Sequence, residues 1–157
     1  MFFRGQVIGK YRILSPLGSG GFGNVYLAED TWIDKKVAIK VPHRQSGDEG
    51  ELLQEPRLLA ALDHANIVGI VTAERVDGVF FIVMEYVKGE SLEAVLDREK
   101  SLDLPRALNY VVQILRGVDH AHDATMLHRD LRPANVLISE SGIVKVADFG
   151  TSRFLEK

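Results

Sequence analysis

The fold of this chain is decided by the octapeptide H-R-D-L-R-P-A-N at residues 128–135 and the tripeptide D-F-G at residues 148–150. One interpretation of the octapeptide is an ordinary polar loop, in which Asp and Asn simply form turns. That interpretation does not explain why the octapeptide and the tripeptide occur together.

Two short β-like runs separate these motifs and predict a hairpin. They are Val136–Ser139 and Ile143–Val146, on either side of a turn-forming Glu-Ser-Gly sequence. Asn135 enters this hairpin and Asp148 leaves it, so both side chains are expected at its open end. A carboxylate and an amide oxygen there suit Mg²⁺, a hard cation that prefers oxygen ligands and substrate phosphates. Asp130 is placed to orient an attacking hydroxyl or to accept its proton.

Length and composition are those of one ordinary soluble domain. The 157 residues are 46% hydrophobic and 26% charged, with a formal net charge of -3. Lysines and arginines are scattered, so no nucleic-acid partner is expected. The absence of cysteine excludes disulfides and cysteine-based zinc sites and fits a cytoplasmic protein. We also expect no signal peptide and no membrane-spanning segment, because no apolar run is long enough.

The first half of the chain is predicted to be β-rich. Alternating apolar residues indicate strands at Tyr11–Leu17, Asn24–Asp30, Lys36–Val41, Ile67–Ala73 and Val79–Tyr86. An Asp-Gly turn joins the last two strands, which predicts a second hairpin. Leucines between residues 52 and 62 predict a helix after the third strand.

The second half is predicted to be mainly helical. Ser91 caps a short helix, and a long amphipathic helix follows Asp103, with Pro105 tolerated in its first turn. The apolar face of the long helix recurs at spacings of four and three through Leu104, Leu108, Val111, Leu115, Val118 and His122. Further apolar positions make this face wider than one packing partner needs.

The glycine-rich segment G-S-G-G-F-G at residues 18–23 is a weak signal by itself. It could be a flexible turn or a dinucleotide-binding fingerprint. The fingerprint requires a helix to begin at the last glycine, whereas the residues after Gly23 have the pattern of a strand. A glycine-rich turn between two strands could instead fold over a polyphosphate and offer it backbone N–H groups.

The tetrapeptide V-A-I-K at residues 37–40 places Lys40 on the same strand face as the small Ala38. A lysine is most often solvated at the surface, so this residue alone is not decisive. The small neighbour leaves room for a flat ligand beside the ammonium group. Glu55, on the predicted helix, is the candidate partner that would hold the side chain and keep it charged.

Together these motifs resemble the signature set of the eukaryotic-type serine/threonine protein kinases, closest in style to the bacterial members. The set consists of a glycine loop, V-A-I-K, H-R-D-L-x-x-x-N and D-F-G, and all four occur here in order. The resemblance implies an α+β fold with an antiparallel β small lobe carrying one helix, and an incomplete, mainly helical large lobe. It places the small lobe and hinge at residues 11–87 and the partial large lobe at residues 88–157, truncated after D-F-G.

The resemblance also assigns roles to individual residues. The loop over the ATP phosphates would comprise Gly18, Ser19, Gly20, Gly21, Phe22 and Gly23. Lys40 would contact the α- and β-phosphates and pair with Glu55. The adenine ring would be surrounded by Val25, Ala38, Met84, Glu85, Val87 and Leu137, with Met84 as gatekeeper. Asp130 would act on the substrate hydroxyl, while Asn135 and Asp148 would hold magnesium.

Two positions depart from the family pattern. Arg132 stands where lysine is usual, and it keeps a positive charge near the γ-phosphate with a different shape and reach. Pro56 directly follows Glu55, where a helix interior would lose a backbone donor and clash with the carbonyl of residue 52. We therefore expect the helix to be kinked or to start near Glu55, and either outcome could displace Glu55 from Lys40.

Three interpretations of function remain. The first is an ATP- and magnesium-dependent kinase that phosphorylates serine or threonine hydroxyls of a protein substrate, present as a truncated domain. The second is a nucleotide-binding or interaction module without phosphotransfer, and the third is a fragment without an independent role. In each case the broad apolar face of the helix at residues 104–121 is expected to be exposed and to favour self-association.

Overall fold

The computed structural model describes residues 1–20, 23–47, 49–149 and 153–154. The chain forms two compact units, the first made of Met1–Arg57 and Ile70–Tyr86 and the second of Leu58–Gly69 and Val87–Lys157. The division expected from the sequence, at residues 11–87 and 88–157, stays a prediction. In the structure residues 1–10 cluster with the first unit, and residues 58–69 and Val87 cluster with the second.

The first unit is built on an antiparallel sheet, which has six strands in the part of the chain described. These are β1 (Val7–Ile8), β2 (Tyr11–Gly20), β3 (Gly23–Asp30), β4 (Lys35–Pro42), β5 (Ile70–Val76) and β6 (Val79–Glu85). Their order in the sheet is β1-β2-β3-β4-β6-β5. The strands predicted from alternating apolar residues are thus confirmed, except for the position of β5.

The strand predicted at Ile67–Ala73 is present as β5, but its predicted start was wrong because residues 67–69 lie outside the strand and make other hydrogen bonds. The backbone N–H of Val146 donates to the Asn66 carbonyl at 2.8 Å, and that of Val68 donates to the Val146 carbonyl at 2.9 Å. Ile67 forms an isolated parallel bridge with Val146. An apolar run predicts that residues are buried, but it does not identify the segment that they pack against. Here residues 66–68 bond to Val146, and the strand begins at Ile70.

The sheet buries side chains on both faces. One face carries the cluster Ile8, Tyr11, Ile13, Tyr26, Ala28, Val37, Ile39, Phe81 and Val83. The Tyr11 hydroxyl donates to Glu74 at 2.9 Å, and burial, together with this bond, raises the pKa of the phenol above its ordinary range. The opposite face buries Phe80 and Ile82 against Leu52, as the two-residue alternation of a strand requires.

The β5–β6 connection is the hairpin that its Asp-Gly sequence predicts. Val76 pairs with Val79, so Asp77 and Gly78 are the two residues of the turn. Their φ angles of 50° and 79° are both positive, as the favoured two-residue hairpin turn requires. A local signal of two residues therefore sets the register of this strand pair.

The helix after β4 is interrupted, as the position of Pro56 predicts. It consists of α1 (Glu49–Leu52) and α2 (Gln54–Ala60), so the single helix expected in the small lobe is replaced by two short segments. Pro56 has no N–H to donate to the carbonyl of Leu52, and α1 ends at that residue. Across the break, Leu53 donates to Glu49 and Arg57 donates to Leu53, both at 3.0 Å.

The second unit combines helices with two small sheets. Its helices are α3 (Leu92–Glu99) and α4 (Leu104–Asp123), and its strands are β7 (Gly89–Ser91), β8 (Met126–Leu127), β9 (Val136–Ser139), β10 (Val144–Val146) and β11 (Arg153–Phe154). The helix caps are confirmed, since Ser91 accepts from the N–H of Ala94 at 3.1 Å and Asp103 accepts from that of Arg106 at 3.2 Å. Among the helices described, none is both long and apolar enough to cross a membrane.

α4 buries a different face from the one that its apolar periodicity marks. Gly117 and Ala121 are its buried residues, and Tyr110 and Ile114 pack against the cluster Val95, Val136, Ile138 and Val144. The stripe formed by Leu104, Leu108, Val111 and Leu115 has exposed fractions of 70%, 55%, 50% and 59%. The expected exposure of an apolar face on this helix is confirmed for these residues, and self-association through it stays a prediction.

Gly117 allows α4 to approach the loop around Asn66. A Cβ at position 117 would lie 2.7 Å from the Asn66 carbonyl oxygen. The buried Asn66 side chain ties the same region together, because its Nδ2 donates to the Val144 carbonyl at 2.8 Å and to Gln113 at 3.1 Å. The missing side chain at position 117 thus sets the distance between the helix and the loop around Asn66, which is hydrogen-bonded to β10.

We expect Gly117→Ala to destabilise the protein by about 1–3 kcal/mol, because the added methyl group would push α4 away from Asn66. In an uncrowded helix the same change stabilises by roughly 0.5–1 kcal/mol. Urea unfolding measures the difference, with Arg116→Ala at the exposed neighbouring position as control, expected within about 0.5 kcal/mol of wild type. An increase in the free energy of unfolding for Gly117→Ala would contradict the close approach.

Candidate functional site

Lys40 and Glu55 form a buried ion pair in the first unit. The Lys40 Nζ lies 2.7 Å from the Glu55 Oε1, and the two side chains are only 7% and 15% exposed. Glu55 lies in the first turn of α2, directly after the break at Leu53. The break therefore leaves Glu55 against Lys40, and the displacement that Pro56 suggested does not occur.

Four of the residues predicted to surround the nucleotide share one face of the sheet. Ala38 and Lys40 alternate along β4, so their side chains point to the same side. In the sheet register, Val25 lies opposite Lys40 and Met84 lies opposite Ala38. Directly opposed residues of neighbouring strands share a face, so the sheet gathers the small, apolar and charged members of the predicted site together.

The glycine turn lies between β2 and β3, and Gly20 pairs with Gly23 at its base. A Cβ at Gly23 would lie 2.4 Å from the Val41 carbonyl oxygen, so packing requires glycine there. A Cβ at Gly18 or Gly20 would meet nothing within 4 Å. Glycine at these two positions leaves the backbone accessible without being required by packing. Gly21 and Phe22 lie outside the described residues.

The carbonyl oxygen of Gly20 is held by a side chain from the end of β4. The His43 Nε2 lies 2.7 Å from this oxygen, and since a carbonyl can only accept, Nε2 carries the proton. Ser19 pairs with Asn24 in the same hairpin and is exposed. His43 thus holds the hairpin at Gly20, next to residues 18–20, which carry few side-chain atoms.

In the second unit, His128 fixes the backbone on both sides of the candidate site. Its Nε2 donates to the Ala147 carbonyl at 2.7 Å, while its Nδ1 accepts from the Asp130 N–H at 3.1 Å. These two bonds require the neutral tautomer with the proton on Nε2. The ring also packs edge-on against Phe149, with centroids 4.6 Å apart. His128 therefore joins the octapeptide to the residues around Asp148.

Asn135 orients Asp130 through its amide nitrogen. The Nδ2 donates to the Asp130 carbonyl at 2.8 Å and to the Asp130 Oδ2 at 3.1 Å. Both partners can only accept, which identifies the side-chain atom facing them as nitrogen. The amide oxygen consequently points away from Asp130 and is left to accept a hydrogen bond or to coordinate a cation.

The hairpin predicted between the two motifs is confirmed, and it brings Asn135 and Asp148 to its open end. Val136 pairs with Val146 at the last rung of the β9–β10 ladder. Beyond this rung, the Ala147 N–H donates to the Asn135 carbonyl at 2.8 Å. Both the N–H and the carbonyl of Ala147 are therefore hydrogen-bonded. These bonds fix the backbone immediately before Asp148.

The backbone at two positions of this region adopts an unusual conformation. Arg129 and Asp148 have φ angles of 70° and 59°, in the left-handed region that non-glycine residues rarely occupy. Such conformations persist where the surrounding structure enforces them, and they concentrate at functional sites. The hydrogen bonds of His128 to Asp130 and to Ala147 hold the backbone directly beside Arg129 and Asp148.

Arg132 lies near Asp130, and the remaining predicted site residues are located by their positions in or next to strands. The Arg132 Nε lies 3.6 Å from the Asp130 Oδ1, and the arginine side chain is 61% exposed, so this pair is weak. Glu85 ends β6, Leu137 lies in β9, and Val87 follows the first unit. Their assignments around adenine stay predictions.

Asn66 is a site-supporting residue that the sequence interpretation missed. It is buried, and through the bonds described above it holds β10, which leads directly to Asp148. A polar amide directly before the apolar pair Ile67 and Val68 was the available signal, because a buried polar side chain needs specific partners. The identity of those partners depends on tertiary structure and could not be derived locally.

Comparison with known proteins identifies the family. The protein kinase domain matches residues 11–157, so the chain belongs to the protein kinase family. The resemblance and the α+β, kinase-like fold expected from the motifs are thereby confirmed.

Similar curated proteins are bacterial serine/threonine-protein kinases. PrkC of Bacillus subtilis is 39% identical over 154 residues, and the probable serine/threonine-protein kinase PknB of Lactococcus lactis is 39% identical over 153 residues. The serine/threonine-protein kinase pkn2 of Myxococcus xanthus is 41% identical over 155 residues. The matches cover 96%, 94% and 94% of this chain but 24%, 24% and 19% of the relatives. The chain thus spans about a quarter or less of the length of these relatives.

We expect Glu55→Ala to destabilise the protein by about 2–4 kcal/mol, because it removes the carboxylate beside a buried ammonium group. Lys40→Met combined with Glu55→Ala should cost less than the sum of the single changes, with a coupling of about 1–3 kcal/mol. Urea unfolding of the four proteins measures this coupling. Glu51→Ala in the exposed Arg44–Glu51 pair is the control, with an expected cost of about 0–1 kcal/mol. Additive effects at Lys40 and Glu55 would contradict the buried pair.

We expect Asn135→Asp to destabilise the protein by about 1–3 kcal/mol at pH 7, because a carboxylate would replace the donor that faces Asp130. The loss should shrink as the pH falls below about 4, where a protonated carboxyl group can donate again. Asn109→Asp is a matched control, since Asn109 uses its amide oxygen to accept from Gln113 at 2.7 Å. Unfolding curves recorded at pH 7 and at a pH below about 4 measure the effect. Equal destabilisation at the two pH values would argue against this amide orientation.

Proposed function

We propose that this chain carries the ATP- and magnesium-binding machinery of a protein kinase that transfers the γ-phosphoryl group of ATP to serine or threonine hydroxyls. The observation that carries the proposal is the buried Lys40–Glu55 pair, 2.7 Å between charged atoms, on the sheet face that also bears Ala38 and Val25. A cation fixed on a rigid strand beside small and apolar side chains suits a ligand with a flat ring and a polyphosphate.

The first unit supplies the groups that would bind the nucleotide. Lys40 is held in place by Glu55, so its ammonium group would meet the α- and β-phosphates with little loss of side-chain freedom. The accessible backbone at Gly18 and Gly20 would offer N–H groups to the phosphates. Val25, Ala38 and Met84 would contact the adenine ring, together with Leu137 and backbone groups of Glu85 and Val87.

The donor atoms at Asn135 and Asp148 fit magnesium. The Asn135 amide nitrogen is engaged by Asp130, which leaves its oxygen for a cation, and Asp148 adds a carboxylate at the open end of the same hairpin. Oxygen ligands from one or two side chains, completed by phosphates and water, are what Mg²⁺ prefers. The bound ion would neutralise charge on the phosphates.

Asp130 would orient the substrate hydroxyl and accept its proton. The hydroxyl oxygen would then bond to the γ-phosphorus as the bond to the β-phosphate oxygen breaks and ADP leaves. Asn135 and His128 position Asp130 by bonds to its side chain and backbone. Arg132, weakly paired with Asp130, would place positive charge near the transferred group.

The substrate class rests on the relatives and on one residue. The similar proteins are named serine/threonine-protein kinases, and Pro133 within the octapeptide also favours serine or threonine over tyrosine. The lack of cysteine supports a cytoplasmic location, which is part of the same proposal.

Calorimetric titration with Mg–ATP tests the binding half of the proposal. We expect Lys40→Met and Asp148→Asn to weaken binding by about 10-fold or more, since each removes a charged group aimed at the phosphates or their metal. Asp119→Asn, an exposed substitution on α4, is the control and should bind as wild type does. A wild-type protein that does not bind Mg–ATP would refute the assignment of the site.

Phosphate transfer to a generic protein substrate tests the other half. Asp130→Asn should keep Mg–ATP binding and lower the transfer rate by roughly 10²–10⁴-fold, as expected for loss of a general base. ATP binding without transfer by the wild-type chain would instead favour the nucleotide-binding module.

A further inference from the structure

The N-terminal segment, Met1–Gln6, folds back onto the sheet. The Gly5 N–H donates to the Ile13 carbonyl and the Ile13 N–H donates to the Gln6 carbonyl, both at 2.8 Å. A turn closes the segment on itself, because Gln6 donates to the Phe3 carbonyl at 3.1 Å and the Phe3 N–H donates to the Gln6 side chain at 3.1 Å. These bonds attach Gly5 and Gln6 to β2, and Phe2 lies at the other end of the segment.

Phe2 meets the glycine hairpin at Tyr26. The Phe2 N–H donates to the Tyr26 hydroxyl at 3.2 Å, and the two rings pack with centroids 5.5 Å apart at 48°. Tyr26 is only 4% exposed, so Phe2 contributes to its burial. A mostly apolar cleft of about 410 Å³ is lined by Met1 and Phe2 together with residues 16–19, Asn24 and Tyr26 of the hairpin.

Tyr26 lies at an irregular step of the hairpin, the one nearest the glycine turn. It is opposite Pro16 in the β2–β3 ladder, and the register shifts between Pro16 and Gly18. Proline has no N–H to give to the ladder, and a bulge bends the strand that contains it. The glycine turn begins immediately beyond this irregular step. A contact at Tyr26 therefore controls the base from which the glycine turn projects.

We propose that Phe2 is a positioning residue for the glycine turn, acting through Tyr26 to hold the hairpin base in the orientation that covers the phosphates of a nucleotide. The inference rests on the proposed nucleotide binding. His43 holds the hairpin farther along, at Gly20, so loss of Phe2 loosens the turn without releasing it. The effect should consequently fall on the phosphates and spare the adenosine part of the ligand.

The chain offers closely matched variants for a test. Phe2→Ala removes the ring contact, and Tyr26→Phe removes the hydroxyl that accepts from Phe2 while keeping both rings. Phe3→Ala is the control, because the Phe3 side chain is 69% exposed and its bonds to Gln6 are made by the backbone. All three substitutions lie outside the residues proposed to touch ligand.

Titration of the whole chain with Mg–ATP and with adenosine separates positioning from general stabilisation. Phe2→Ala should weaken Mg–ATP binding by about 3- to 10-fold, the range of one lost aromatic contact, and adenosine binding by less than about 2-fold. Tyr26→Phe should show a smaller loss with the same selectivity, and Phe3→Ala none. Equal losses for both ligands, or no loss for Phe2→Ala, would overturn the positioning role.

Amide hydrogen exchange without nucleotide tests the same contact independently of ligand binding. Phe2→Ala should speed exchange in a peptide covering residues 14–27, whereas Phe3→Ala should leave it at the wild-type rate. Faster exchange in a protein that binds no ATP would mean that the proposed function fails while the hairpin contact stands. Unchanged exchange in Phe2→Ala would overturn the inference whatever the nucleotide result.

Discussion

The buried pair of Lys40 and Glu55 is the constraint on which the first unit depends. Two charges removed from water are tolerated only when they stay together, because either one alone is far more costly to bury. This requirement ties the middle of β4 to the first turn of α2, across a helix that proline has already broken at Leu53. An irregular helix is therefore compatible with the sheet, provided that Glu55 keeps its contact with Lys40.

The second unit reaches a comparable rigidity by a different route, through bonds to backbone atoms. His128, Asn135 and Asn66 each use a side chain to hold main-chain groups within β10 or in the segments next to β9 and β10. Few of these bonds involve a charge, so their strength depends on burial and geometry rather than on Coulomb attraction. The carboxylates that would perform chemistry are thus attached to a frame held largely by bonds between side-chain nitrogens and backbone carbonyls.

Local signals in the sequence predicted the elements whose causes are local. The Asp-Gly turn, the Ser91 and Asp103 caps and the break at Pro56 each depend on a few adjacent residues, and the structure confirms them. The start of β5 and the buried face of α4 depend on what packs against them, and the apolar pattern does not contain that information. For the site, the motifs predicted which residues share a face or a hairpin end, while the supporting Asn66 needed the tertiary contacts.

At most positions of a protein, selection for folding and selection for ligand binding act together. The glycines of the hairpin turn separate these two kinds of selection. A side chain at Gly23 would collide with the backbone of β4, so folding itself forbids it. At Gly18 and Gly20 a side chain would meet only open space, so folding is indifferent to it. Variation at those two positions would therefore report on whatever occupies the space beside the turn, free of the stability effects that complicate such comparisons elsewhere in a small domain.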